Sequence, residues 1–148
     1  MTGMLVPFVL LFLLGGAGDE GGIFHAIDVL QCFVERRAGG ETGVKSVQSI
    51  RGPDTWNWIK QNLPWVENLL DAVTDQFEFE RGHFQASETN TCVITYNDGT
   101  TAAIIGAGDV GWTFAGEVEG RPDPTIISML GWAGPYDQYH ASNAQPHW

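Results

Sequence analysis

Three groups of residues in this 148-residue chain have types and spacings that could support chemistry. The first is Gly106-Ala107-Gly108-Asp109-Val110-Gly111, a G-x-G-x-x-G run that comes after the apolar stretch Ala102-Ala103-Ile104-Ile105. In a dinucleotide site such glycines let the backbone approach a pyrophosphate, which the next helix holds with its N-terminal amides. The residues after the run are poor helix formers: Thr113, Gly116, Val118 and Gly120 occur before Pro122 closes the stretch. A glycine-rich turn between strands is the plainer reading, and a minimal NAD(P)-binding domain using Gly106 to Gly111 is the alternative. The second group is His25, Asp28 and Cys32, which fall on neighbouring turns if the segment is helical. Imidazole suits proton transfer near neutral pH, so His25 is a candidate acid/base residue. A metal would need a third or fourth donor at a recognisable spacing, and none is present nearby, so no metal ligand is assigned. The third group is Glu35-Arg36-Arg37 leading into Gly39-Gly40-Glu41. Arginines beside glycines could hold a carboxylate or phosphate in bidentate fashion, which makes Arg36 and Arg37 candidate substrate contacts, and Asp28 and Glu41 are counted with them as polar candidates. The plainer reading is that both arginines offset a helix C-terminus and pair with Glu35 or Glu41.

The elements that would position these groups can be read from hydrophobic spacing. Ile23, Ala26, Ile27, Leu30, Phe33 and Val34 recur at helical intervals, with Asp28, Gln31 and Glu35 opposite and Gly39-Gly40 ending the run. Residues 44–50 are rich in β-branched types and predict a strand closed by Gly52-Pro53. Asp54 is placed to cap a short helix through Trp58, and Pro64 suits the first turn of the next. From there Trp65, Val66, Leu69, Leu70, Val73 and Phe77 form a second amphipathic face. After Phe77 the period changes. Residues 92–96 and 101–105 flank Asn97-Asp98-Gly99-Thr100, and Asp-Gly between such runs predicts a hairpin. Residues 112–118 alternate as a half-buried strand would, and 125–130 predict a further strand. Consecutive strands with short turns tend to be neighbours, so the expected fold is α+β: a largely antiparallel sheet, meander-like in its second half, with helices packed on one face. Residues 23–134 form the expected domain, and residues 135–148 an irregular C-terminal segment.

Composition restricts the partners. Eighteen acids against seven bases give a net charge of −11, which repels nucleic-acid backbones and anionic membrane surfaces. No nucleic acid and no membrane is expected as a partner. Two cysteines make no disulfide framework, and buried thiols are the simpler expectation. Six tryptophans and eight phenylalanines could line a sugar pocket, although aromatic core packing is the commoner use. No nucleophile elbow, P-loop, zincin or EF-hand pattern occurs. Residues 1–22 comprise an apolar start and a glycine-rich linker. Val9-Leu10-Leu11-Phe12-Leu13-Leu14 before Gly15-Gly16-Ala17-Gly18 reads equally as a signal-peptide core or as a buried internal strand or helix. It is shorter than the ~20 residues that a spanning helix needs. The localisation is thus unknown: secreted if residues 1–17 are a signal, cytoplasmic if the chain is an internal fragment.

The run Gly21-Gly22-Ile23-Phe24-His25-Ala26-Ile27-Asp28, with its apolar continuation, resembles the substrate-side domain of the glucose–fructose oxidoreductase and inositol dehydrogenase family (Gfo/Idh/MocA). The stretch from Val34-Glu35-Arg36-Arg37 through Val44-Lys45-Ser46-Val47-Gln48 resembles uncharacterised bacterial relatives of that family, as do Glu67-Asn68-Leu69-Leu70 and Tyr96-Asn97-Asp98-Gly99-Thr100. The resemblance implies an α+β domain that comes after a Rossmann domain and binds a small, sugar-like substrate. It further implies assembly into a homo-oligomer through the sheet. NAD(P) would be bound by the missing domain, so no cofactor is assigned to this chain and no activity is expected of it alone. Of the family's site, only His25 carries over as an acid/base residue, with Asp28 positioning. The family's Asp four residues before the helical His is replaced here by Gly21. The reading from another class is a secreted, acidic, non-catalytic binding domain.

Overall fold

A computed structural model describes residues 9–14, 20–77, 89–106, 112–118 and 120–128. Along the chain these form β1 (Val9–Leu14), α1 (Glu20–Val34), β2 (Val44–Arg51), α2 (Thr55–Asn62), α3 (Pro64–Phe77), β3 (Asn90–Tyr96), β4 (Thr101–Gly106), β5 (Trp112–Glu117) and β6 (Thr125–Ser128). The six strands make one sheet in the order β2-β3-β4-β1-β5-β6. Every neighbouring pair is antiparallel except β1 with β4, which run parallel from Val9 opposite Thr101 to Leu14 opposite Gly106. The α+β class and the largely antiparallel sheet therefore stand.

Two features of the sheet go beyond what the sequence led us to expect. The apolar segment β1 is inserted between β4 and β5, so these consecutive strands are not neighbours. The helices, moreover, are divided between the two faces of the sheet, where the expectation placed them on one. Ile94, Tyr96, Ala102, Ile104 and Phe114 pack with Ala26, Leu30 and Val34 of α1. Their alternating neighbours Val93, Ala103, Ile105 and Ala115 pack with residues of α2 and α3, among them Ile59, Val66, Leu69 and Val73. Successive strand residues face opposite ways, so α1 covers one face and the α2–α3 pair the other. This explains why Ala102-Ala103-Ile104-Ile105 is apolar without alternation: all four side chains are buried. Each fully buried large side chain contributes about 1.5–3 kcal/mol, so the two clusters dominate the stability of the sheet.

Local chemistry sets the element ends. Pro64 occupies the first position of α3, where its missing N–H costs nothing. Asp54 stands at the N-cap position of α2, but its side chain makes no capping bond. The Thr55 hydroxyl braces this corner in a different way, donating to the carbonyl of Gly52 at 2.8 Å. The β3–β4 hairpin forms at Asp98-Gly99 as predicted. Tyr96 N–H donates to Thr100 O at 2.8 Å, and Gly99 adopts a φ of 88° that side chains rarely accept. No helix among the described residues is long and apolar enough to cross a membrane. Residues 135–148 lie outside the described residues, as do the last two positions of the strand expected over 125–130.

Candidate functional site

Helix α1 carries the first candidate group. Its inner residues Ala26, Leu30 and Val34 are fully buried against the sheet, which fixes the helix along its length. His25, Asp28 and Cys32 lie on the exposed side, at the i, i+3 and i+7 spacing that places them on successive turns. Phe24 is 61% exposed and meets the His25 ring edge-on, with centroids 5.7 Å apart and an interplanar angle of 69°. The structure thus brings His25 and Asp28 to one solvent-facing strip on a rigid support. Among the described residues, no three His, Cys, Asp or Glu side chains gather as a metal site would require. Cys32 and Cys92 are free thiols, and burial pushes the Cys92 thiol upward, so it stays protonated at neutral pH.

The arginine group divides. Arg36 and Glu41 are exposed, whereas Arg37 is buried. Arg37 Nη1 donates to the carbonyl of Val34 at 2.6 Å, so this side chain does offset the C-terminus of α1. Its ionic partner is neither Glu35 nor Glu41. Arg37 Nε donates to Asp98 Oδ2 at 2.6 Å, with both side chains almost wholly covered. Arg37 Nη2 donates to Thr42 Oγ1 at 2.9 Å, and the guanidinium lies over the Tyr96 ring, 4.9 Å from its centroid. Glu41 accepts from Gly43 N–H at 2.6 Å and so shapes its own loop. Arg37 therefore joins three segments of the fold, while Asp28, Arg36 and Glu41 remain on the surface.

Asp98 and its neighbours complete this junction, which sequence reasoning did not single out. Asp98 Oδ1 accepts from Thr100 N–H at 2.9 Å. Burial pushes the Asp98 carboxyl upward, but the bonds from Arg37 and Thr100 outweigh it and hold the group below the usual aspartate value. Asn97 Nδ2 donates to Thr42 O at 2.8 Å, and Asn97 N–H to Gly43 O at 3.0 Å. Gln31 Nε2 donates to the Tyr96 hydroxyl at 3.2 Å. Burial raises the Tyr96 pKa, and the Gln31 bond opposes that shift. The available signal was the hairpin itself: an acid at a tight turn beside a glycine-flanked arginine elsewhere in the chain.

The glycine fingerprint lies mostly outside the described residues, since only Gly106 of positions 106–111 is described. The next described element is β5, a strand antiparallel to β1, and Gly106 itself ends a strand paired antiparallel with β3. A pyrophosphate site needs a helix N-terminus directly after the glycines, and the described residues do not provide one. The run 106–111 is followed by a strand, so no dinucleotide chemistry is derived from it. Compared with known protein families, curated proteins and solved structures, the chain matches none.

Proposed function

We propose that this chain is the substrate-binding and oligomerising domain of an oxidoreductase-like protein whose cofactor domain lies outside the chain, and that it is not catalytic alone. The observation that supports this best is α1, buried on one side and presenting His25 and Asp28 on the other. A helix anchored by Leu30 and Val34, and tied at its end by Arg37, holds an imidazole in place without enclosing it. That suits a half-site which a second domain completes. In this reading His25 gives or takes the proton of a small, sugar-like substrate, and Asp28 positions the substrate. Arg36 and Glu41, on the surface beyond the end of the helix, supply secondary polar contacts. Arg37 supports the loop that carries them. Any NAD(P) belongs to the other domain. The rival reading, a secreted acidic binding domain, requires cleavage near Ala17, which would remove β1 and both ladders it forms with β4 and β5.

The test is an amide NMR titration of the full chain with glucose and with myo-inositol. Saturable shifts confined to the exposed side of α1 and the 36–41 loop are expected. His25→Asn should abolish those shifts while changing stability by no more than about 0.5 kcal/mol, as for an exposed residue. Shifts centred on another face, or shifts unaffected by His25→Asn, would refute the assignment of the site.

A further inference from the structure

β2 is one of the two edge strands of the sheet, β6 being the other, and among the described residues nothing pairs with its outer side. Seven of its eight residues are exposed, and Ile50, half-buried against the α2–α3 core cluster, is the exception, so most of the strand is bare. Val44 is 48% and Val47 62% exposed, although such residues are normally used where a neighbour covers them. The hairpin fixes the direction of its free hydrogen-bonding groups. Tyr96 N–H points to β4, where it meets Thr100, whereas Asn97 N–H points to Gly43 on the β2 side. The odd-numbered residues of β3 therefore face β2 with their amides. Thr95, Val93 and Thr91 lie opposite Ser46, Gln48 and Ile50, whose backbone groups are used inward. The amides and carbonyls of Val47 and Ser49 are left aimed at the open edge.

We propose that this edge pairs antiparallel with β2 of a second copy about a two-fold axis at Val47, continuing the sheet across a homodimer. In that register Val47 meets the partner's Val47, Val44 meets the partner's Ile50, and Lys45 meets the partner's Ser49. Centring the pair one residue later, on Gln48, would set Lys45 opposite the partner's Arg51, which like charges disfavour. The surrounding charge also favours a second copy. Residues 40–54 carry Glu41 and Asp54 against Lys45 and Arg51, two acids and two bases, on a chain of net charge −11. This stretch is neutral, so two such edges meet without the repulsion that the rest of the surface would impose. The register shift between Val44 and Ser46 increases the local twist, which limits the pairing to a short ladder and a modest affinity. This proposal rests on the oligomerising part of the reading above and names its surface and symmetry.

Sedimentation equilibrium of the full chain tests it, with Val47→Lys and Ser49→Pro as variants. Val47→Lys sets two ammonium groups together on the axis. Ser49→Pro removes an outward N–H while leaving the ladder to β3 its own donors. Circular dichroism confirms that each variant retains the fold. The wild-type mass should rise with concentration from 16.2 kDa toward twice that value. Both variants should raise the dissociation constant at least tenfold. A wild type that stays at 16.2 kDa up to about 1 mM would overturn the proposal and the oligomerising reading together. A dimer whose affinity is unchanged in both variants would overturn the β2 pairing alone. Neither result bears on the α1 site, which stands or falls on its own titration.

Discussion

Arg37 and Asp98 are 61 residues apart in sequence, and their side chains meet at 2.6 Å. Because both are covered, losing one partner leaves the other charge without its strongest bond. Asp98→Asn should cost about 2 kcal/mol at pH 7 in urea denaturation. The pH dependence has a definite sign. The folded Asp98 carboxyl titrates below its unfolded value, so its stabilisation is complete above the unfolded value of about 3.9 and is lost as pH falls through the folded one. The stabilities of wild type and Asp98→Asn should therefore converge below about pH 4, and a constant difference down to pH 2 would contradict this. Nearby, Gly43 adopts a φ of 86°, and a Cβ there would come within 2.9 Å of Asn97 Nδ2. Gly43→Ala should destabilise by about 1 kcal/mol or more in the same assay, through the loop that Arg37 and Asn97 hold.

At the scale of elements, α1 is the part on which the proposed site depends. Leu30→Ala removes a fully buried side chain between α1 and the sheet and should cost about 2–5 kcal/mol in thermal or urea unfolding. Phe24→Ala, on the exposed side, should cost far less. A comparable loss from both would mean that α1 does not pack as described. The helices and the hairpin could be read from the sequence because their signals are local. The apolar spacing from Ile23 to Val34, Pro64 before an amphipathic run, and Asp98-Gly99 between strands each act within a few residues. The position of β1 could not be read in that way. Its parallel pairing with β4 joins Val9 to Thr101, and no local pattern encodes a partner so distant. The placement of helices on both faces did leave a trace in the unbroken apolar run of β4, which a one-sided sheet would have interrupted with polar residues. At the site, His25 and Asp28 were visible from helical spacing, whereas the Arg37–Asp98 junction depends on tertiary contact between an α1 end and a distant turn. Arg37 consequently looked like a surface residue, although it is buried.

For the whole molecule, the arrangement is a six-stranded sheet clad on both faces, with α1 presenting His25 and Asp28 to solvent and the edge strand β2 largely exposed. Eighteen acids against seven bases make the chain acidic, whereas the 40–54 stretch carries two acids and two bases and is neutral. In the proposed reading α1 is the place to bind and β2 the place to assemble, and the run 106–111 is followed by strand β5 rather than by the helix N-terminus that a dinucleotide fingerprint needs. The central claim, that this domain serves a cofactor-binding partner domain, is tested most directly by reading the genomic DNA upstream of the Met1 codon. The account predicts an uninterrupted in-frame extension encoding a βαβ unit with a glycine fingerprint. An in-frame stop codon immediately before Met1, together with a stably folded 148-residue product, would contradict it.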